Sequence, residues 1–463
     1  MTKRRATALL GFLLLAVAGV AAALLLTNRR DVTTSSDAAH KVWREAVENE
    51  RRFYFKEARA GFAKALELDP DFAAAMLGLA RQSKKEQALA LVHRAERLKN
   101  RLTERERLHV DLAVASLEKG PSDRLKVARE ILARYPDDFR ATSVVAMDYA
   151  MKGKMEDAVR VFTTLLEADP NSAEAYNIIG YYCGYRGEYE KAIENLKKYQ
   201  FMAPDQANPY DSLGEIQAYS GRYDEAIQNL NRALAIKPDF YAPYDHLGVA
   251  YEGKGDYPKA FENYVKAADV VPLDSERPYY LWRALRVAII SNDVASGRTL
   301  LPKFEKAPSD ENWSIVKPAV DAAYDLLEGR VQEAERKLAD LKPRADEHQR
   351  KAMSKRPGYK PYWPEWNWVM ARTKIALGKD AEAIPLLAEM ADPPNPWEKF
   401  EGRQMVYEGK AQLAALLAKR GQIDRAEKLL EENKRWTPSW APTRPAETAV
   451  GELRRAQVLA STK

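Results

Sequence analysis

The chain has few of the residues from which metal sites and disulfides are built. Its 463 residues include one cysteine, Cys183, and five histidines. A lone cysteine forms no internal disulfide, so it does not decide the redox state of the compartment. The histidines are scattered, and no pair stands at the spacing of zinc or iron ligands. We therefore expect no bound metal.

Sequence signatures of phosphate binding and of nucleophilic catalysis are also missing. Glycine occurs only 22 times, and no glycine-rich phosphate loop is present. No G-x-S-x-G elbow occurs, and no Ser, His and Asp triad can be assembled. Acidic residues are interspersed among the basic ones, which argues against a nucleic-acid partner. The sequence predicts no cofactor and no enzymatic activity.

Charged residues are absent from Ala6 to Thr27, and basic residues flank this stretch on both sides. As a helix it would be roughly 33 Å long, enough to cross a hydrocarbon core of about 30 Å. We predict an uncleaved transmembrane signal anchor at residues 6–27. The alternative is a cleaved secretory signal, because Ala16–Ala18 and Ala21–Ala23 satisfy the small-residue rule for cleavage.

The charges around this segment favour a cytoplasmic N-terminus, residues 1–5. Three basic residues precede the segment and two follow it, and the side richer in Lys and Arg stays in the cytoplasm. The bulk of the chain would then lie on the periplasmic side of a bacterial inner membrane, held by a single pass. Residues 28–38 are polar and have no periodicity, so we predict a short linker.

Four segments of 34 residues follow one another without insertion or deletion between residues 139 and 274. When they are superposed, small residues and prolines fall in four columns. The columns are Ala146, Gly180, Gly214 and Gly248; Gly153, Gly187, Gly221 and Gly255; Ala158, Ala192, Ala226 and Ala260; and Pro170, Pro204, Pro238 and Pro272. Four columns in register indicate a repeated structural unit.

Each segment contains two apolar faces at helical spacing with glycine between them, which predicts two helices joined by a turn. Small residues stand where the paired helices must approach closely, and glycine permits the reversal. Proline removes a backbone donor and ends the second helix. One pair cannot bury its own apolar stripe, so the pairs must stack.

These columns resemble the tetratricopeptide repeat, whose period is 34 residues. The resemblance implies an all-α, right-handed superhelical solenoid of helical hairpins. It also implies that the first helix of each hairpin lines a concave groove that holds a peptide or a partner protein. No reaction is implied.

Outside the four regular repeats, residues 139–274, the periodicity is weaker but still helical. The predicted parts are degenerate repeats at 39–138, divergent hairpins at 275–341, an aromatic and Pro-rich insertion at 342–364, further repeats at 365–440 and a capping helix at 443–461. The insertion contains aromatic residues interleaved with proline. It is either a second contact surface or a loop that folds back on its own array.

The resemblance nominates groove residues on the first helices of the regular repeats. They are Asn177, Tyr181, Tyr185, Asp211, Glu215, Tyr219, Asp245 and Glu252. Tyrosine and carboxylate side chains dominate this set. The regular repeats contain 14 Lys plus Arg and 21 Asp plus Glu, a net charge of −7, whereas the whole chain carries +6.

We therefore expect a membrane-anchored scaffold that binds a partner protein or an extended peptide. The partner segment would carry Lys or Arg and apolar side chains, since tyrosines give amphipathic contacts and carboxylates set specificity. Two other interpretations stay open. One is a soluble exported accessory or substrate-binding subunit after signal cleavage. The other is an enzyme that uses residues 342–406.

Overall fold

The computed structural model describes residues 32–355, 363–393, 403–436 and 440–461. These residues form helices joined by short turns, and no β-strand occurs among them. The chain divides into two compact units, Met1–Tyr135 and Pro136–Lys463. The prediction of an all-α protein is confirmed.

The described part of the first unit contains six α-helices. They are α1 Asp37–Arg51, α2 Phe55–Leu68, α3 Ala73–Arg81, α4 Lys85–Arg97, α5 Glu104–Val114 and α6 Pro121–Arg134. Consecutive helices pair as hairpins, α1 with α2, α3 with α4 and α5 with α6, and each hairpin packs on the next. A stack of this kind buries the apolar stripe that a single hairpin would leave exposed.

The core of the first unit depends on close approach between helices. A Cβ added at Gly78 would lie 2.5 Å from the ring of Phe62, which is fully buried. The turn between α1 and α2 lacks glycine, and Phe53 takes the left-handed conformation there, with φ of 63°. This conformation is unfavourable for a bulky residue, so the first hairpin reverses at the cost of local strain.

The predicted linker at residues 28–38 differs from the structure. The segment Thr33–Ser36, which we call the strap, is bound to the first unit, and α1 begins at Asp37. Thr33 donates to the Glu106 carboxylate from its backbone nitrogen at 2.8 Å and from Oγ1 at 2.6 Å. Thr34 Oγ1 donates to Asp69 Oδ2 at 2.6 Å.

The strap is fixed because these buried carboxylates need hydrogen-bond donors. Burial alone would raise the pKa of Asp69, but hydrogen bonds from Thr34 and Ser35 lower it below its ordinary value. Residues 28–31 lie outside the described part of the chain, as does the predicted membrane segment, residues 6–27. Within the described ranges, no helix is both long and apolar enough to span a membrane.

The described part of the second unit contains seventeen α-helices. They are α7 Phe139–Met151, α8 Met155–Ala168, α9 Ala173–Tyr185, α10 Tyr189–Met202, α11 Ala207–Tyr219, α12 Tyr223–Ile236, α13 Tyr241–Lys254, α14 Tyr257–Val270, α15 Arg277–Ile290, α16 Val294–Lys306, α17 Trp313–Leu327, α18 Val331–Lys355, α19 Pro364–Ala376, α20 Asp380–Ala391, α21 Arg403–Lys419, α22 Ile423–Trp436 and α23 Arg444–Ser461. The regular repeats are the hairpins α7–α8, α9–α10, α11–α12 and α13–α14.

Glycine has two separate roles in the regular repeats. A Cβ at Gly214 would lie 2.6 Å from Leu230 Cγ, so this column lets the two helices of a hairpin touch. The glycine at the turn instead takes a positive φ, as at Gly221 with 80°. The same left-handed turn recurs at Gly329, Gly378 and Gly421, and it marks the later hairpins.

The predicted insertion at residues 342–364 is partly helical, because α18 continues to Lys355. Leu341 and Ala345 are buried along one face of this extension, while Pro343 lies on the exposed side. The apolar stripe therefore holds the helix on the core. Residues 356–362 lie outside the described part of the chain.

Aromatic residues after this extension pack inward. Trp363, Trp366 and Trp368 are buried, and the rings of Trp363 and Trp366 stack with centroids 5.8 Å apart. These three tryptophans therefore belong to the core. At the end of the unit, α23 packs on α21 and α22 with Ala446 and Val450 buried.

Candidate protein-binding surface

The nominated groove residues lie on the first helices α9, α11 and α13. The 34-residue period gives equivalent positions on these helices the same orientation, since each hairpin repeats its predecessor. Six of the eight nominated side chains are nevertheless buried. These are Asn177, Asp211, Glu215, Tyr219, Asp245 and Glu252, each between 0% and 8% exposed. Only Tyr181 and Tyr185 keep part of their surface accessible.

A histidine outside the nominated set joins α9, α11 and α13. His246 Nδ1 lies 2.8 Å from Asp211 Oδ1, and its Nε2 lies 3.5 Å from Glu215 Oε2. Tyr181 Oη donates to the same Glu215 oxygen at 2.6 Å. Burial by itself lowers the pKa of His246, but Glu215 and Asp211, with Asp245, raise it to about 10. The imidazole is therefore protonated at neutral pH and serves as the counter-ion of both carboxylates.

Asp245 is paired with an arginine from the next hairpin. Both Asp245 oxygens accept hydrogen bonds from Arg283 on α15, at 2.6 and 2.7 Å. The Arg283 guanidinium also lies over the ring of Tyr264, 4.5 Å from its centroid, and donates to the Tyr264 hydroxyl at 3.1 Å. All three side chains are buried.

Glu252 belongs to a second buried ion network. Its carboxylate binds Arg286 of α15 and accepts a hydrogen bond from the Tyr264 hydroxyl at 3.0 Å. Arg286 also donates to Glu408 Oε2 of α21 at 2.9 Å, and Trp368 Nε1 donates to the other Glu408 oxygen at 2.5 Å. The network thus links α13, α15, α19 and α21.

The chain's own cations therefore engage the carboxylates that the sequence nominated for a basic partner. Removing one member of a buried ion pair typically costs about 3–5 kcal/mol, because the other charge is left uncompensated. We infer that the main role of Asp245 and Glu252 is to stabilise the fold through their ion pairs. Whether the nominated residues contact a partner stays a prediction.

The accessible part of this surface is apolar and aromatic. Tyr181 and Tyr185 are neighbours on α9, with ring centroids 6.3 Å apart. The equivalent positions on α7, 34 residues earlier, are Met147 and Met151, which are 41% and 62% exposed. Sequence reasoning missed both methionines, although their spacing from the two tyrosines pointed to them. We call these four residues the Met–Tyr patch.

The regular repeats match a known family of sequences. Residues 214–255 match the family model described as the TPR repeat. The match covers the second half of α11 and the whole of α12 and α13. A comparison of the chain with curated proteins finds no match.

Several solved structures are similar to parts of this chain. MamA is 26% identical over 34% of this chain and 92% of its own, with a TM-score of 0.30. Yeast Tom70 is 16% identical over 91% of this chain and 96% of its own, with a TM-score of 0.42. The Pseudomonas aeruginosa pilF protein is 18% identical over 54% of this chain and 99% of its own, with a TM-score of 0.35.

A C-terminal segment of the chain, Trp440–Thr443, covers part of the regular repeats. Trp440 is 2% exposed and belongs to the same buried cluster as Leu213 and Tyr219. The short 3-10 helix Ala441–Thr443 packs against α13, where a Cβ at Gly255 would lie 3.3 Å from Ala441 Cβ. The surface at this end of α11 and α13 is therefore already occupied.

The described residues contain no candidate metal-binding site. Within the ranges that the structure covers, no three His, Cys, Asp or Glu side chains form a group that could hold a metal ion. Cys183 is buried, and burial raises the pKa of its thiol, with a further contribution from Glu188. A thiol of this kind is a poor nucleophile, because the thiolate is the reactive form.

Proposed function

We propose that this protein is a tetratricopeptide scaffold that holds a segment of a partner protein against α7 and α9. The observation that carries the proposal is the accessibility of the Met–Tyr patch, because the other six nominated groove residues are buried. Methionine adapts its shape to different apolar partners. Tyrosine supplies rigid, amphipathic contact area, which is why it is enriched at interfaces. The proposal assigns no reaction to the chain.

The partner segment is apolar at the patch. Basic side chains are not required, because His246, Arg283 and Arg286 already form ion pairs with the nearby carboxylates. The sequence predicted a partner segment with Lys or Arg and apolar side chains. The proposal keeps the apolar side chains and drops the requirement for basic ones. Charged residues of the partner would contribute at the rim, where they affect the rate of association more than the affinity.

Membrane attachment is a second element of the proposal. Residues 6–27 would anchor the chain in a bacterial inner membrane by a single pass, with the described units on the periplasmic side. The support is the uncharged run and its basic flanks. N-terminal sequencing of the mature protein tests it. A start after Ala18 or Ala23 would instead establish a soluble exported accessory subunit.

Site-specific photocrosslinking tests the scaffold proposal. A photoreactive phenylalanine analogue in place of Met151 should capture a partner in native membranes, because this side chain projects from the patch. The matched control is the same analogue at Phe201, which is 87% exposed on the second helix α10. We expect crosslinked partner from the Met151 position and little from the Phe201 position.

A double substitution separates specific capture from general stickiness. Met147→Ser with Met151→Ser removes apolar surface at two side chains that are 41% and 62% exposed, so the fold should be retained. With the photoreactive analogue at Tyr185, we expect the substitution to lower the yield of the same crosslinked partner at least tenfold. Equal capture from the Met151 and Phe201 positions, or an unchanged yield in the double variant, would contradict the proposal.

A further inference from the structure

Helix α19 carries an arginine whose surroundings differ from those of the other interior arginines. The Arg372 guanidinium stacks on Trp368, 4.8 Å from the ring centroid. Trp368 is fully buried and is fixed by its hydrogen bond to Glu408. Arg372 itself is only partly buried. The guanidinium is therefore held beside a rigid ring, and the residue as a whole keeps part of its surface accessible.

The N–H groups of Arg372 have no acceptor among the described residues. Among the residues that the structure describes, no carboxylate or carbonyl oxygen accepts a hydrogen bond or forms an ion pair with this side chain. Arg283 and Arg286, by contrast, each bind a carboxylate directly. An arginine offers five donors, so the Arg372 side chain can hydrogen-bond to a ligand.

The Glu408 carboxylate, whose charge acts on Arg372, already accepts hydrogen bonds from other residues. Glu408 Oε1 accepts hydrogen bonds from Trp368 and Gln412, at 2.5 and 3.0 Å, and Oε2 accepts one from Arg286 at 2.9 Å. Burial lowers the pKa of Arg372, and Glu408 offsets this only in part. The guanidinium is thus partly desolvated, and no described carboxylate is bound to it as a counter-ion.

We propose that Arg372, which lies against the Trp368 ring, binds a planar anion with two oxygens. The anion is a carboxylate of the partner protein. A guanidinium stacked on an aromatic face leaves its edge free, and that edge matches two oxygens of one carboxylate. The assignment of the carboxylate to a partner rests on the scaffold function proposed above. The anion site itself does not.

Thermal unfolding in different anions tests the site on the full chain. The probes are sodium acetate and inorganic phosphate, each compared with sodium chloride at equal ionic strength. We expect either probe to raise the Tm of the wild type by about 2–4 °C more than it raises that of Arg372→Met. Comparing the two proteins removes the general stabilisation that phosphate gives to any fold. Acetate as effective as phosphate indicates a carboxylate site, whereas a phosphate-only response would overturn the carboxylate assignment.

A second measurement compares the Tm of the variants with that of the wild type in sodium chloride alone, without acetate or phosphate. Arg372→Met removes an uncompensated charge, so its Tm in chloride should equal or exceed that of the wild type. Arg286→Met, the matched control, breaks two buried ion pairs and should lower the Tm. Arg372→Gln provides a second test if the methionine variant does not fold. A lowered Tm in both Arg372 variants, or an equal anion response in wild type and variants, would overturn the site. Neither result depends on crosslinking at Met151, so the two proposals can fail separately.

Discussion

Tyrosine side chains on successive first helices have different surroundings. Tyr181 and Tyr185 on α9 keep part of their rings accessible, whereas the equivalent of Tyr185 on α11, Tyr219, is 5% exposed. Tyr219 and Trp440 are buried members of one apolar cluster, whereas Tyr181 and Tyr185 pack against it and are only partly buried. The identity of a residue in a repeat therefore does not determine whether it can bind. Its accessible surface does.

His246 should make the stability of the second unit depend on pH. Its pKa is about 10 in the folded protein and 6.5 in the unfolded chain. A raised folded pKa means that the stabilisation is complete below pH 6.5 and is lost as the pH rises toward 10. We expect His246→Gln to be less stable than the wild type at pH 6. The difference should shrink steadily as the pH approaches 10.

Denaturant unfolding of both proteins at several pH values measures this difference. Other groups that titrate in the same range affect wild type and variant alike, so the comparison isolates the imidazole. A difference in unfolding free energy that stays constant between pH 6 and pH 10 would show that His246 is not charged in the folded state.

The hairpin of two helices is the element whose packing the glycine columns control. Gly214 and its equivalents have a neighbour's side chain in the space that a Cβ would fill, and Gly221 and its equivalents have the left-handed turn. These two constraints are independent. The first concerns the distance between helices and the second concerns the path of the backbone.

Gly214→Ala should destabilise the second unit by about 1–3 kcal/mol, because the new methyl group overpacks against Leu230. The matched control is Gly451→Ala in α23, where no heavy atom lies within 4 Å of the added Cβ. That change should be neutral or stabilise the protein by up to about 1 kcal/mol, since alanine favours helix more than glycine does. Calorimetric unfolding measures both. Similar losses in the two variants would refute the close-packing role.

The columns of small residues could be predicted from the sequence because they recur within one period, and the all-helical fold followed from them. The burial of the nominated carboxylates could not. Arg283 lies 38 residues after Asp245, outside the 34-residue register, and Glu408 lies 122 residues after its partner Arg286. A repeat pattern contains no information about such long-range pairs. Arg286 lies 34 residues after Glu252, within the register, and that pair was the available signal.

In the second unit as a whole, the C-terminal segment Trp440–Thr443 covers part of the surface of the regular repeats. The indole of Trp440 is buried, and its Nε1 has no hydrogen-bond acceptor among the described residues. The segment is therefore held mainly by apolar contact. Burial of a tryptophan contributes strongly to stability, so its removal should also destabilise the helices that it contacts.

Trp440→Ala should lower the stability of the second unit by about 3–5 kcal/mol and expose the covered end of α13. Hydrogen exchange followed by mass spectrometry would show this as faster exchange in residues 241–254, with α9 as an internal reference. Val458→Ala, at a side chain that is 52% exposed in α23, is the matched control and should change neither quantity. Unaltered exchange in α13 of the Trp440 variant would mean that the segment does not protect this surface.

The strap sets a limit on the distance between the first unit and the lipid bilayer. When residues 6–27 span the membrane, as proposed, Thr33 stands six residues beyond Thr27. Six extended residues reach roughly 20 Å. A partner attached to the same membrane would then meet the first unit within a thin layer, so its local concentration follows from its density per unit area of membrane. Encounter between the two becomes a search in two dimensions.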